Sequence, residues 1–309
     1  MEIQKVALIG AGAVGAYLIW SFDGAAGVTF TVVAEGERRE RLARDGILIN
    51  GQPYPLRVQE PDEAGPQDLV FISTKYGALD DAIAMLPSLV GPDTLVLSLL
   101  NGVDSEERAA QAVGWEHVVY STIRIASQRT QEGVCFEPDR VIGLSVGLPD
   151  AGAEGQRKLE ALSALFAKTK LRWCRSEDIL TDIWLKFASN IANNLPQAVV
   201  GAPASLYQKS EHGRFLAQKL WSEAAAVAKS KGVRLAEEVL IFPGQTPTAK
   251  YSTLQDLEAG RHTEIDMFAG QMICMAEEAG IPVPYCEYTF HAIKALEEKN
   301  DGLFTAEGN

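Results

Sequence analysis

The sequence predicts an α/β chain in two parts, an N-terminal doubly wound sheet followed by a C-terminal all-α helical domain. Three observations predict it. A glycine-rich turn separates the first strand from the first helix, strands then alternate with helices, and long amphipathic helices dominate after Arg175. Alternation of this kind implies a parallel sheet covered on both faces. Residues 3–9 (IQKVALI) read as a strand and 13–22 as a helix. Residues 29–34 are β-rich, and 36–45 form a charged helical stretch closed by Gly46. Residues 68–74 and 94–100 are apolar strands, with a helix over 78–90 between them. The β-rich segments from about 117 to 146 are candidate extensions of the sheet, followed by a helix at 154–168 and a short strand at 171–174. Helices are expected at 177–195, 211–231, 264–279 and near 287–298, and the tail DGLFTAEGN reads as frayed. The expected domains are therefore 1–175 and 176–309.

The turn is Gly10-Ala11-Gly12-Ala13-Val14-Gly15, a GxGxxG between a strand and a helix. In that setting the first Gly permits the tight turn and the second lets backbone approach a pyrophosphate. The third allows close helix–strand packing. The helix start, Ala13 and Val14 included, then offers free N–H groups and a positive dipole end to phosphates. This is the Rossmann-like pattern. The adenine ribose is expected at the end of the second strand, Val33-Ala34-Glu35-Gly36-Glu37-Arg38-Arg39. Glu35 there favours NAD(H) through the ribose hydroxyls, while Arg38 and Arg39 are placed to reach the 2′-phosphate of NADP(H). On residues alone the two cofactors stand even, and a plain solvated helix face over 37–44 accounts for the same charges.

Composition narrows the class. The chain has 309 residues, 47% hydrophobic, enough for a core without metals or disulfides. A formal net charge of −13 argues against broad binding to nucleic acid or anionic membrane. It leaves room for a small anionic substrate, since one local cation outweighs distant charge at short range. Cys135, Cys174, Cys274 and Cys286 form no CxxC pair, which fits free thiols in a reducing cytosol. No run reaches the length of a membrane span, and a cytoplasmic location is expected.

Residues 177–195 carry two stripes. Ile179, Ile183, Phe187, Ile191 and Leu195 are apolar at i, i+4 spacing; Asp182, Lys186, Asn190 and Asn194 run beside them. Asn194 would stand about 12 Å along the axis from Lys186. Asn is a poor interior helix former, so Asn190, Asn193 and Asn194 in one helix need a reason. One reading is a solvent-facing polar side, or Asn194 near a helix end before Pro196. The other is a cleft wall of one cation and several amides for a small polar substrate.

At this point several ordered motifs converge on one family. VALIGAGAVGAYL, STKYGALDDA, LLNGV, IWLKFASNIANN and STLQDLEAGRHTEID, spanning most of the chain, resemble ketopantoate reductases (2-dehydropantoate 2-reductases). The resemblance implies reduction of a 2-keto acid ketone, ketopantoate to pantoate, with NADP(H). It implies pyrophosphate binding by Gly10, Gly12 and Gly15, Lys75 near the cofactor, and Asn101 near the nicotinamide ribose. It further implies Lys186 as general acid, Asn190 and Asn194 as substrate amides, Ser252 as a carboxylate contact and Glu264 as an orienting carboxylate. The chemistry agrees: a positioned cation stabilises charge growing on the carbonyl oxygen and can donate a proton. A neighbouring carboxylate would keep such a lysine charged.

Departures from the family pattern surround the expected pocket. Glu35 stands where the family usually has Arg. Asn194 is followed by Leu195-Pro196-Gln197 rather than N-P-L-T. Ala249, with Lys250 next, replaces an Asn that some members carry. Other 2-keto acids and an NAD-dependent hydroxyacid dehydrogenase therefore stay open, as does a non-catalytic NAD(P) sensor, against which Lys186 and Glu264 argue. A His-carboxylate mechanism is disfavoured, because His117, His212, His262 and His291 fall in no catalytic motif, and His262 reads as surface. No metal-ligand spacing is present. The C-terminal helices suit either a homodimer surface or a self-contained bundle.

Overall fold

The computed structural model describes residues 2–130, 133–241 and 246–304. The chain divides into two compact units, Met1–Leu180 and Thr181–Asn309.

The first unit opens with β1 (Lys5–Ile9), α1 (Ala13–Phe22), β2 (Thr29–Val33), α2 (Gly36–Asp45), β3 (Ile47–Ile49), β4 (Gln52–Tyr54) and β5 (Val58–Gln59). It continues through α3 (Pro61–Ala64), β6 (Gln67–Ile72), α4 (Leu79–Ala84), α5 (Leu86–Leu89), β7 (Val90–Ser98) and α6 (Ser105–Val113). The last parts are β8 (Tyr120–Arg124), β9 (Ser127–Thr130), β10 (Gly133–Phe136), β11 (Gly143–Gly147), α7 (Gly152–Phe166) and β12 (Trp173–Arg175).

The main sheet runs β5-β2-β1-β6-β7, all parallel. Chain order reverses at the β1/β6 pair, where Val6 faces Leu69 and Ile9 faces Ile72. Residues 6–9 of β1, 69–72 of β6 and 95–97 of β7 are continuous apolar runs, because both faces of the sheet are covered there. Val6, Leu8, Leu69, Phe71 and Leu97 point to one core with Leu18 and Phe22 of α1 and Phe166 of α7. Ala7, Ile9, Val70, Ile72 and Val96 point to the other with Leu79, Leu86 and Ala109 of α4, α5 and α6. The two-residue period of a strand assigns neighbours to opposite cores.

The β-rich stretch after 117 does not extend this sheet, beyond one bridge between Val96 and Val118. It builds two small sheets, β4-β3-β10-β9 and β12-β11-β8. The pairs β9/β10 and β8/β11 are antiparallel. The two-residue link from β9 to β10 favours an antiparallel pair, whereas joining a parallel sheet needs a long crossover. The helix expected over 78–90 is split into α4 and α5, and β7 begins at Val90.

The second unit holds all of α8 (Ile179–Val200) beyond its first two residues. After it come α9 (Ser205–Lys209), α10 (Glu211–Ser230), α11 (Ser252–Glu258), a π-helical turn (Asp266–Gly270), α12 (Gln271–Ala279) and α13 (Pro284–Asn300). Three expectations need correction here. Pro196 does not end the helix: α8 runs four residues further, with Pro196 inside it. The helix expected from Glu264 has a π-helical first turn, with Glu264 outside it, its carbonyl accepting from the N–H groups of Met267 and Phe268. The tail is not frayed over 301–304, where Asp301 N–H donates to Glu297 O at 2.9 Å; residues 305–309 lie outside the described residues. Among the described residues, no helix is long and apolar enough to cross a membrane.

Candidate active site

Each segment that the sequence assigns to the cofactor follows the C-terminal end of a strand in the parallel sheet. In open α/β sheets this edge, at the order reversal, is where ligands bind. Gly10 follows β1 with φ +102°, and a Cβ there would stand 2.7 Å from the Ser73 carbonyl carbon. A Cβ on Gly15 would overlap the Gly10 carbonyl oxygen. Both glycines therefore hold β1, α1 and the end of β6 in close approach. Gly12 differs: the nearest atom to its Cβ position is 3.9 Å away. Protein packing does not require glycine at 12, whereas backbone approach by an outside group does. Gly12 is also the N-cap of α1 and supplies no side-chain cap, so Ala13 and Val14 open the helix with uncapped N–H groups. This cradle fits a dinucleotide pyrophosphate.

Glu35 is exposed and caps α2 directly after β2. Arg39, one turn on, is engaged elsewhere: its Nη2 donates to Glu63 Oε2 at 3.1 Å, and its Nε lies 3.8 Å from Glu60. The Glu60 N–H, and then Arg39, hold the Glu63 carboxyl below the usual carboxylate range. Lys75 is exposed just past β6, and Asn101 is half-buried just past β7. The loops carrying these two residues are tied by Tyr76 Oη, which donates to Asp104 Oδ2 at 2.6 Å.

In the second unit, α8 carries the polar edge. Ile179, Ile183, Phe187, Ile191 and Leu195 are buried, which fixes the orientation of the helix. Lys186 and Asn190 are then half-buried at i, i+4, while Asn194 is only 5% exposed. The asparagine side is not a solvent face. Asn193 is fully buried, donating from Nδ2 to Ser189 O at 2.8 Å and Leu240 O at 3.0 Å. Tyr207 Oη donates to the Asn193 carbonyl. Gln197 is fully buried too; its Oε1 accepts from Tyr251 N–H at 3.0 Å and its Nε2 donates to Ala249 O at 3.4 Å.

These bonds bring the chain just before Ser252 onto the C-terminal half of α8. Ser252 itself is exposed and opens α11. Phe187, next to Lys186, packs on Phe268, four residues past Glu264, with ring centroids 6.4 Å apart. That contact joins the segments that carry Lys186 and Glu264. Glu264 is half-buried beside the π-helical turn, a feature frequent at functional sites. Lys250 is paired with Glu258 at 2.7 Å. His262 is exposed and lies 3.0 Å from Asp301. Among the described residues, no group of three or more His, Cys, Asp or Glu side chains is arranged to hold a metal ion.

The family profile described as Ketopantoate reductase PanE/ApbA matches residues 6–137, and its C-terminal counterpart matches residues 178–297. The chain belongs to the ketopantoate reductase family. A 2-dehydropantoate 2-reductase of Mesorhizobium japonicum is 27% identical, covering 95% of this chain and 96% of its own length. Among solved structures, D-mandelate dehydrogenase with NADH and anilino(oxo)acetate superposes with a TM-score of 0.83 at 21% identity, covering 96% of this chain and 99% of that one. A dimeric ketopantoate reductase from Staphylococcus aureus superposes with a TM-score of 0.77 at 19% identity, covering the same shares.

As a ketopantoate reductase family member, the chain is an oxidoreductase of the NAD(P)H-dependent class. Three residues with structural roles in these regions escaped sequence reasoning. Ser73 Oγ donates to Gly10 O at 2.5 Å, a contact that exists only because β1 and β6 are neighbours. Glu63 of α3 engages Arg39 of α2, 24 residues earlier in the chain. Gln197 had a detectable signal, a second amide four residues after Asn193, but its partners are more than fifty positions away.

Proposed function

We propose that the protein reduces the ketone of a small 2-keto acid, with ketopantoate the substrate by family, and that NADH is favoured over NADPH. The observation that carries the reading is the polar edge of α8: Lys186 and Asn190 are aligned on a helix that also anchors the segment leading into Ser252. In this reading residues 1–175 hold the dinucleotide and 176–309 supply substrate binding and catalysis.

The nicotinamide, when bound, supplies hydride to the carbonyl carbon. Gly10, Gly12, Ala13, Val14 and Gly15 would hold the pyrophosphate, Glu35 the adenine ribose, and Lys75 and Asn101 the nicotinamide end. The Lys186 ammonium stabilises the charge developing on the substrate oxygen and donates the proton that completes the alcohol. Glu264 keeps that ammonium charged and oriented. Asn190 and Ser252 hold the carboxylate end, and Asn194 contributes through its small exposed face.

NADH preference rests on Glu35 at the end of β2 and on the engagement of Arg39 by Glu63 and Glu60. A carboxylate at this position accepts from ribose hydroxyls and repels a 2′-phosphate. A second reading, NADH-dependent reduction of a 2-keto acid other than ketopantoate, is favoured by the same residues together with Gln197. The chain is further proposed to be cytoplasmic and to act as a homodimer.

The test is oxidation of NADH and NADPH, followed by nicotinamide absorbance, with ketopantoate and with straight-chain, branched and aromatic 2-keto acids. Turnover of ketopantoate is expected. Turnover of another 2-keto acid alone selects the second reading, and nicotinamide binding without turnover on any of them defeats both.

A further inference from the structure

We infer that Gln197 is a positioning residue that sets the placement of Ser252, and through it the grip on the carboxylate end of the substrate. The inference rests on the reading of Ser252 as a substrate contact. Gln197 is fully buried in the last turns of α8, and both ends of its amide are used across 52 and 54 residues of sequence. Its Oε1 takes the Tyr251 N–H, and its Nε2 gives to the Ala249 carbonyl. One side-chain amide thus stands in for a strand neighbour, satisfying an N–H and a C=O two residues apart on the same segment. A neutral amide offers a donor and an acceptor side by side without needing to take up a proton.

The rest of the segment is tied down around that bridge. Ala249 O also accepts from Ala204 N–H at 2.8 Å, and Pro247 O accepts from Ser205 N–H at 2.9 Å. Ala249 N–H donates to Thr246 O at 2.9 Å. Immediately beyond the bridge, α11 begins with exposed Ser252 and buries Thr253 and Leu254. The Ser252 backbone is therefore fixed on one side by the Gln197 amide and on the other by burial of the first turn of α11. The bond from Gln197 goes to the Ala249 backbone carbonyl, so the bridge does not call on a polar side chain at that position.

The experiment is a double-mutant cycle on the full-length enzyme, using the 2-keto acid turned over fastest in the panel above. Gln197→Met keeps the shape and removes both bonds; Gln197→Glu keeps the acceptor for Tyr251 N–H. Steady-state kinetics are combined with nicotinamide affinity by fluorescence titration and with thermal melts. Gln197→Met is expected to raise substrate KM about 10-fold, with nicotinamide affinity unchanged. Gln197→Glu is expected to recover part of that loss. Ser252→Ala is expected to raise KM alone but to add little on top of Gln197→Met. If the Met variant fails to fold, the Glu variant in the same cycle carries the comparison. A normal KM in Ser252→Ala overturns both the substrate-contact reading and this inference. A raised KM in Ser252→Ala that multiplies fully with the Gln197 effect overturns this inference alone.

Discussion

Ser73 Oγ donates to the carbonyl oxygen of Gly10 across 2.5 Å, locking the end of β6 to the first glycine of the turn. The same carbonyl oxygen blocks any Cβ on Gly15. Gly15→Ala therefore forces backbone apart in a packed region, at a cost of roughly 1–3 kcal/mol. The expected outcome is a lower melting temperature together with weaker nicotinamide binding, read by calorimetry and fluorescence titration. Unchanged binding and stability would show that the turn tolerates separation of β1 from α1.

Lys186→Ala removes the proposed proton donor from a helix face whose apolar side is buried independently of it. A loss in kcat of at least about 100-fold is expected, the low end for a positioned general acid. Nicotinamide affinity should change little. Full activity in this variant would remove Lys186 from the mechanism.

Glu35→Arg places a guanidinium at the end of β2, where it can meet a 2′-phosphate directly. The ratio of kcat/KM for NADPH to that for NADH is expected to rise by about 10-fold or more. Adding Glu63→Gln removes the nearer of the two carboxylates that engage Arg39, leaving Glu60, and should raise the ratio further. An unchanged ratio in both variants would mean that this edge does not face the ribose.

Glu106 predicts a pH effect on stability. It is 3% exposed in the first turn of α6, and burial pushes its carboxyl up to about 7, against the bond that Ser105 Oγ donates to it at 2.9 Å. The folded pKa is raised, so between about pH 4.5 and 7 the folded chain keeps a proton that the unfolded chain has lost. The stabilisation is present below that window and is lost as pH rises through it, on the order of 3 kcal/mol in all. Chemical denaturation from about pH 5 to pH 8 should show wild-type stability falling relative to Glu106→Gln, which carries no such proton. Parallel curves for the two proteins would contradict this account.

The legible parts of the fold are those governed by short-range pattern. α1 and α2 occupy 13–22 and 36–45, where apolar spacing and closing Gly46 put them. The apolar stripe of α8 is buried as its four-residue spacing requires. The segments around β8 to β11 were legible as strands but not in their pairing. Antiparallel partners are chosen by turn length and by which face is left to cover, and neither is a property of one segment. Pro196 misled for a related reason. A proline's penalty is local, but the burial of Leu195, Gln197 and Ala198 around it is tertiary, and the helix continues.

By itself the sequence determined the parallel α/β class, the glycine turn, the amphipathic face of α8 and the family, because each is written in spacing within one element or in ordered motifs. Tertiary structure alone decided that Ser73 closes on Gly10, that Glu63 takes Arg39, and that Gln197 reaches Ala249 and Tyr251. Those pairs lie between 24 and 63 residues apart in sequence. Buried amides and hydroxyls must find partners wherever the packing leaves them, and that choice is made only when the elements meet.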